Sequence, residues 1–510
     1  MEKGFIGIDL GTSSAKIALV SENKKLLDVK YKSYGLKIGD NGLVEQNPED
    51  WFKAINEGIH EIIENNSKID VRGIGLTGQW SGTVPVDKDG NNLHDAIIWM
   101  DTRGKKIIEK VTGGFPSISK YRIDKLIKWL RKTGGAPAHS GKDSIAHILF
   151  LKDEMHEIYD KTYKFLEPKD YIAMKLTGKF KASWDNIVLL WVTDNRDPNN
   201  IKYDDELIKM VGIDKNKLPE IIKPTDIVGL LKKEISKDLN LPDNVPVVSG
   251  CGDMHSSLIG AGLVNDFESL LYLGTSSWIT AHVPFKKTDI FHNIASIPAG
   301  IPGKFLVAAE QENACNCMEF ISNMLGIDQE KYKKIDEMAM RSNAGSNNLI
   351  FLPWVFGERA PVEDPYIRGG FFNLSLIHSD EDMIRSVMEG VAFNSKWLLS
   401  AVEKFIGRRI NSIIMSGGGA LSDIRVKIFS NVLGRDIFVI DRPRDSGVKG
   451  AALLAAVGTG NMEIKDLAGI GKPYKEFKFN IEENKKYERI YKEFLNFYKN
   501  NKKSMHILNS

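Results

Sequence analysis

The sequence predicts an α/β protein built from two similar domains with a ligand cleft between them. Three observations carry this expectation. The chain has 510 residues, more than one hydrophobic core usually serves. The pentapeptide Leu10-Gly11-Thr12-Ser13-Ser14 returns letter for letter as Leu273-Gly274-Thr275-Ser276-Ser277, which points to two units of one design. Each copy follows an apolar run that reads as a buried strand and precedes a second strand-like run.

The first copy sets the chemistry. Phe5 to Leu10 reads as a strand that delivers a carboxylate, Asp9, to its end. Gly11 to Ser14 turns the chain, and Ser14 to Val20 reads as the next strand. Backbone N–H groups and hydroxyls in such a turn cradle anions. A carboxylate beside a phosphate cradle calls for a cation between them, so Mg²⁺ is expected at Asp9. The plain alternative is a hairpin with an acidic corner.

Leu26 to Tyr34 extends the opening to a three-strand meander. Asn47 caps a helix whose first position is Pro48. Trp51, Ile55, Ile59 and Ile63 give that helix one apolar face. Val71 to Leu76 is another buried strand, and Gly78-Gln79-Trp80-Ser81-Gly82 follows it at once. Ligands gather at such strand ends. The Gln79 amide can donate to and accept from hydroxyls, and Trp80 can cover an apolar ligand face. The alternative is a turn with a core tryptophan. Val86 to Gly90 reads as a hairpin turn with structural Asp87 and Asp89. Asp101 and Arg103 either line a polar pocket or pair with each other. Residues 104–142 read as an insertion in which Ile123 to Leu130 is helical.

Leu241 to Val248 feeds a short strand, and Gly250 and Gly252 bracket the turn that presents Asp253. A carboxylate there can take the proton from a hydroxyl attacking a γ-phosphate. It could instead cap the helix that follows. Glu310 to Met324 reads as a helix. Ile413 to Ser416 is a strand entering Gly417-Gly418-Gly419-Ala420, where the backbone can lie against a flat ring or a phosphate. Asp423 to Gly434 and the Ala/Gly-rich Gly447 to Thr459 read as helices, the second suited to close packing. Glu482 to Lys503 reads as an amphipathic helix with a solvated basic face.

Several classes are disfavoured. A net charge of +2 makes no case for nucleic acid. Cys251, Cys315 and Cys317 form no metal pattern and read as reduced thiols. No apolar run approaches the roughly 18 residues of a membrane span, and Met1-Glu2-Lys3 leaves no room for a signal peptide. A cytoplasmic location is expected.

In this order the pieces resemble the FGGY carbohydrate kinases, within the sugar-kinase branch of the actin/Hsp70-like (ribonuclease H-like) ATPases, and inside the family the xylulokinases. The two loops carry the resemblance, with Gly250-Cys251-Gly252-Asp253 for the family's Gly-Gly-Gly-Asp. So do Trp99 to Arg103, Phe165 to Tyr171, Leu176-Thr177-Gly178, Gly357-Glu358-Arg359-Ala360-Pro361, and the second signature from Gly369 to Glu389, where only Asn373 departs. Other departures are Gln79-Trp80-Ser81-Gly82 for a Gln-Met-His-Gly-like loop, Met254-His255 for Asn-Ala, and His147 to Phe150, where the first signature fails.

The resemblance implies two actin/Hsp70-like ATPase domains with an interdomain cleft: residues 1–248 for sugar and phosphate, 249–475 for the nucleotide, and 476–510 as a helical tail. It implies transfer of the γ-phosphate of ATP to a ketopentose, D-xylulose first. Another ketose, a polyol or an aldonate is the alternative, and a sugar-independent ATPase the more distant one. Asp253 would be the general base and Asp9 the Mg²⁺ carboxylate. Gly11, Thr12, Ser13, Ser14, Lys16, Gly274, Thr275 and Ser276 would grip phosphates, with Gly418 and Ala420 at the adenosine. Gln79, Trp80, Ser81, Asp101, Arg103 and Met254, with Asp253, would meet the sugar. The expected partner is a small-molecule sugar, and a homodimer stays open.

Overall fold

The apolar run that opens the chain becomes the inner strand of a six-stranded sheet. In the computed structural model, which describes residues 2–328, 330–471 and 473–509, this sheet contains β1 (Glu2–Leu10), β2 (Ser14–Ser21), β3 (Leu26–Ser33), β4 (Ile69–Gly78), β5 (Ile227–Leu230) and β6 (Pro246–Val248). Their order is β5-β6-β4-β1-β2-β3. β1 runs antiparallel to β2 and parallel to β4. Helix α1 (Pro48–Asn65) starts as expected, with the Asn47 side chain accepting from the Glu49 N–H at 3.1 Å. Its buried face is Trp51, Ile55, Ile59 and Ile62, and Ile63 is only half-buried. A strict i+4 ladder drifts off a face that turns every 3.6 residues, which corrects the expected Ile63. Asp87 accepts from the N–H groups of Asp89 and Asn91, both at 2.9 Å, and so closes its hairpin turn. The short helix α2 (Trp184–Ile187) lies in the same half, and α3 (Asp253–Gly260) follows β6.

The second half repeats the first. β7 (Ser269–Leu273), β8 (Ser277–Val283), β9 (Thr288–Asp289), β10 (Ile294–Pro298), β11 (Phe305–Gln311), β12 (Ser412–Ser416), β13 (Asp436–Ile440) and β14 (Pro473–Phe477) form one sheet in the order β9-β10-β11-β8-β7-β12-β13-β14. β7 is antiparallel to β8 and parallel to β12, the relation that β1 has to β2 and β4. The repeated pentapeptide is therefore a repeated supersecondary unit.

One expected helix is corrected. Glu310 and Gln311 end strand β11, and helix α4 covers only Asn316–Met324. β8 takes their backbone, pairing Trp278 with Glu310 and Ser277 with Gln311. Helix α5 (Asp380–Ile406) is opened by a capping box between Ser379 and Asp382. Asn373, the one departure in that signature, sits at φ +67°, a region asparagine enters more readily than most residues. Helix α6 (Asp423–Leu433) ends on Gly434.

Helix α7 (Ser446–Gly458) comes late in the chain yet packs on β1 and β4 of the first sheet and crosses α3. Its approach leaves no room for side chains. A Cβ on Gly7 would fall 2.1 Å from the Val448 carbonyl, and one on Gly450 would fall 1.9 Å from that of Ser256. The Ala/Gly-rich composition serves this contact. The 104–142 insertion reaches the second half, where Lys286 Nζ donates to the Leu130 carbonyl at 2.9 Å. The tail forms α8 (Ile481–Asn509), which buries Tyr487, Ile490, Tyr491 and Phe494 and turns most of its lysines outward. Among the described residues no helix is long and apolar enough to cross a membrane.

Candidate active site

Each repeated turn closes on itself. The Gly11 N–H donates to the Ser14 carbonyl at 3.1 Å, and the Gly274 N–H to that of Ser276 at 2.9 Å. Ser13 and Thr275 stand exposed at the two tips, with Gly11, Thr12, Ser14, Gly274 and Ser276 partly exposed around them. The hairpin register places Asp9 opposite Lys16, with Lys16 Nζ 2.9 Å from Asp9 Oδ2. Burial opposes the charge on Lys16, but Asp9 outweighs it and holds the ammonium above its ordinary range. In the second unit Tyr272 takes the place of Asp9 and stacks on its register partner Trp278 at 4.6 Å. Only the first loop therefore carries a carboxylate.

Asp253 opens α3 at the seam between the halves. Gly250 turns the chain at φ +67° in contact with β4, where a Cβ would fall 1.6 Å from the Leu76 carbonyl. Gly252, not Asp253, holds the cap position, and among the described residues no side chain caps the helix. The helix-cap alternative is thereby corrected: the Asp253 carboxylate instead accepts from its neighbour's N–H, Met254, at 2.7 Å. It faces the solvent of the cleft. Enclosure by the cleft walls, and then the negative charge of Asp9, push its carboxyl up to about 7. Glu310 adds to the rise, and Lys16 opposes it.

The Gly78–Gly82 loop meets both of these elements. The Gln79 N–H donates to the Leu10 carbonyl at 2.9 Å, and its amide donates to Gln46 at 3.1 Å. Trp80 is half-buried. Its ring lies 5.0 Å from that of His255, and its edge rests on Gly252, where a Cβ would fall 1.6 Å from Nε1. Ser81 follows at φ +58°. The structure thus brings Gln79, Trp80, Asp9, Lys16 and Asp253 together.

Three nominated residues sit differently. Asp101 and Arg103 pair with each other at 2.8 Å, and Arg103 also holds Glu45 at 2.7 Å. Of the two alternatives for them, the structure has the pairing. Met254 is buried among Trp184 and Leu258 and does not line the cleft.

The triple glycine follows β12 and packs on Leu273, the residue before the second loop. A Cβ on Gly419 would fall 2.5 Å from Leu273 Cδ2. Gly418 is exposed with open space at its Cβ position, and Ala420 is buried.

The sequence alone points to no role for Trp99, Glu310, Glu312 or Arg359. Trp99 Nε1 donates to Thr12 Oγ1 at 3.1 Å. Arg359 binds Glu310 and, at 2.9 Å, Glu312, and Glu312 faces Lys142 of the first half at 3.6 Å. The signal was the Glu-x-Glu alternation, which places both carboxylates on one side of extended chain. Reading that stretch as helix hid it.

A family model for the N-terminal domain of FGGY carbohydrate kinases matches residues 5–260, and one for the C-terminal domain matches residues 270–459. The chain is 27% identical over 472 residues to the xylulose kinase of Bacillus subtilis, covering 90% of this chain and 89% of that one. It is 26% identical to the gluconokinase of the same organism, over 93% and 92% of the two chains. The ligand-bound xylulose kinase from Lactobacillus acidophilus superposes with a TM-score of 0.88 at 25% identity, over 99% of this chain and 100% of that one. The chain belongs to the FGGY family of carbohydrate kinases.

Proposed function

We propose that this kinase transfers the γ-phosphate of MgATP to a ketopentose, D-xylulose. Family members use ATP as co-substrate. The observation that carries the reading is the placement of Asp253: a solvent-facing carboxylate at the start of α3, next to both the Gln79-Trp80 loop and the Asp9 hairpin, with its carboxyl pushed up to about 7. A general base works best with its pKa near the working pH. Asp253 takes the proton of the attacking hydroxyl, and the two hydroxyl loops and Lys16 hold the phosphates. Gly418 lies against the adenosine with the buried Ala420 behind it, and Trp80 covers the sugar. Residues 1–248 serve sugar and phosphate, and 249–475 serve the nucleotide.

The residues fit a magnesium ion that arrives with the nucleotide. Lys16 engages Asp9 through Oδ2, and among the described residues no cluster of three or more metal-ligating side chains exists. One carboxylate plus substrate phosphates is a usual magnesium environment. The bound ion would neutralise charge on the β- and γ-phosphates.

For the sugar, two relatives named for xylulose head the reading, and the Arg103 guanidinium is already spent on Asp101 and Glu45, which favours an uncharged acceptor. Gluconate is the second reading, because a gluconate kinase from Lactobacillus acidophilus superposes with a TM-score of 0.87 at 25% identity. ADP release measured with xylulose, ribulose, gluconate and glycerol separates them. The highest kcat/KM is expected with xylulose. A preference for gluconate would overturn the sugar, and ADP release independent of any sugar would overturn the kinase reading of the site.

A further inference from the structure

Three consecutive buried side chains on helix α2 tie it to the second half and to two loops of the site. Trp184 Nε1 donates to the Ala299 carbonyl of the second half at 2.9 Å. Asp185 Oδ2 accepts from the Gly252 N–H at 2.7 Å, one residue before Asp253. Asn186 Oδ1 accepts from Trp80 Nε1 at 2.9 Å. Trp80 in turn rests on Gly252, so the two loops touch each other and share one clamp.

We propose that Asp185 and Asn186 are positioning residues that lock the Trp80 loop to the Asp253 turn, so that the group covering the sugar and the group taking its proton keep one fixed separation. This rests on the assignment of Trp80 to the sugar and Asp253 to the proton.

The surroundings are what a positioning device looks like and a stabilising core does not. Asp170, Asp185 and Lys169 are all fully buried, two carboxylates against one ammonium. Lys169 Nζ bonds Asp170 Oδ1 at 2.5 Å and the Ser249 carbonyl at 3.2 Å, just before the turn. Asn186 Nδ2 donates to Asp170 Oδ2 at 3.4 Å. Among the described residues Asp185 Oδ1 and His255 Nε2 have no hydrogen-bond partner, although His255 Nε2 lies 3.9 Å from Asp185 Oδ2. Burial raises both aspartates and lowers His255 to about 3, so the imidazole is neutral. An apolar core of the same volume is often at least as stable as such a cluster. Its geometry is what an apolar core would lack: acceptors aimed at one indole N–H and one backbone N–H.

The test is a double-mutant cycle read as sugar KM, MgATP KM and kcat. Trp80→Phe keeps a ring and removes the N–H; Asn186→Leu removes the acceptor. Each is expected to raise the sugar KM about tenfold, the usual effect of orphaning one buried polar partner, with MgATP KM unchanged. The double variant is expected to be no worse than the worse single one. Asp185→Ala is expected to lower kcat about tenfold, and Asp185→Asn, which keeps an acceptor for Gly252, to restore most of it. Additive effects of Trp80→Phe and Asn186→Leu would overturn the coupling. If Asn186→Leu fails to fold, Trp80→Phe removes the same bond from the other side, and an unchanged sugar KM there would overturn it equally. A Trp80→Ala variant separates the two levels. No effect on sugar KM would refute the sugar pocket itself, whereas a large effect without one from Asn186→Leu would refute only the clamp.

Discussion

Lys16 Nζ lies 2.9 Å from Oδ2 of Asp9, its register partner across the first hairpin. The pair sets an ammonium and a carboxylate at the base of the first phosphate loop, and their charges reach Asp253. Asp9→Asn keeps the shape and removes the negative charge. We expect kcat to fall by about 10²-fold, the scale of losing one electrostatic contact in a transition state, and the Mg²⁺ concentration for half-maximal rate to rise. A magnesium titration of the folded variant checks this. An unchanged magnesium dependence would remove Asp9 from the nucleotide site.

Trp80→Ala is expected to raise the sugar KM about tenfold or more, since both ring contact and its N–H anchor are lost, while MgATP KM stays nearly constant. The ring is only half-buried, so thermal stability should fall less than for a core tryptophan. A large drop in Tm with both KM values raised together would mark Trp80 as core instead.

The triple glycine offers an internal control. Gly418 has open space where a Cβ would go, whereas Gly417 sits at φ +88° with the Leu273 carbonyl 2.5 Å from its Cβ position. Gly418→Val should raise MgATP KM and leave Tm within the assay's scatter. Gly417→Ala should lower Tm outright, because alanine is strained at that φ. A Gly418→Val protein with unchanged nucleotide affinity would move the adenosine elsewhere.

Local signals were the legible ones. The Gly11–Ser14 and Gly274–Ser277 turns, the Asn47 cap and the Asp253 turn were readable because glycine, hydroxyl and capping residues have strong local meaning. The Glu310–Met324 stretch hides its start, because Glu310 and Gln311 are held in strand by pairing with β8, a partner some thirty residues away. The same blindness hid the Arg359 cluster and left Asp101 and Arg103 undecided, since Glu45, which completes their network, joins them only in three dimensions. Met254 looked like a cleft residue because it adjoins Asp253, yet a helix sends neighbours in different directions, and Met254 points into the core.

The pH profile carries a signature. Asp253 has its carboxyl raised from 3.8 to about 7, so below that pH it holds a proton and cannot accept another. The rate therefore rises with pH through about 7 and levels off above it, the opposite sense to a required acid. Cleft closure on substrate would expel solvent from around the carboxylate and strengthen the effect. The limb should appear in kcat/KM between about pH 6 and 8. Its persistence in Asp253→Asn would assign it to another group.

The most direct measurement is steady-state sugar phosphorylation by Asp253→Asn, with sugar binding followed by tryptophan fluorescence. The substitution removes the proton acceptor and leaves the helix start intact, because Gly252 holds the cap position. General-base catalysis contributes about 10²–10⁴-fold, so kcat should fall by at least about that lower bound while sugar and MgATP still bind. Turnover within a few-fold of the unsubstituted enzyme would take Asp253 out of the mechanism and the active site away from this turn.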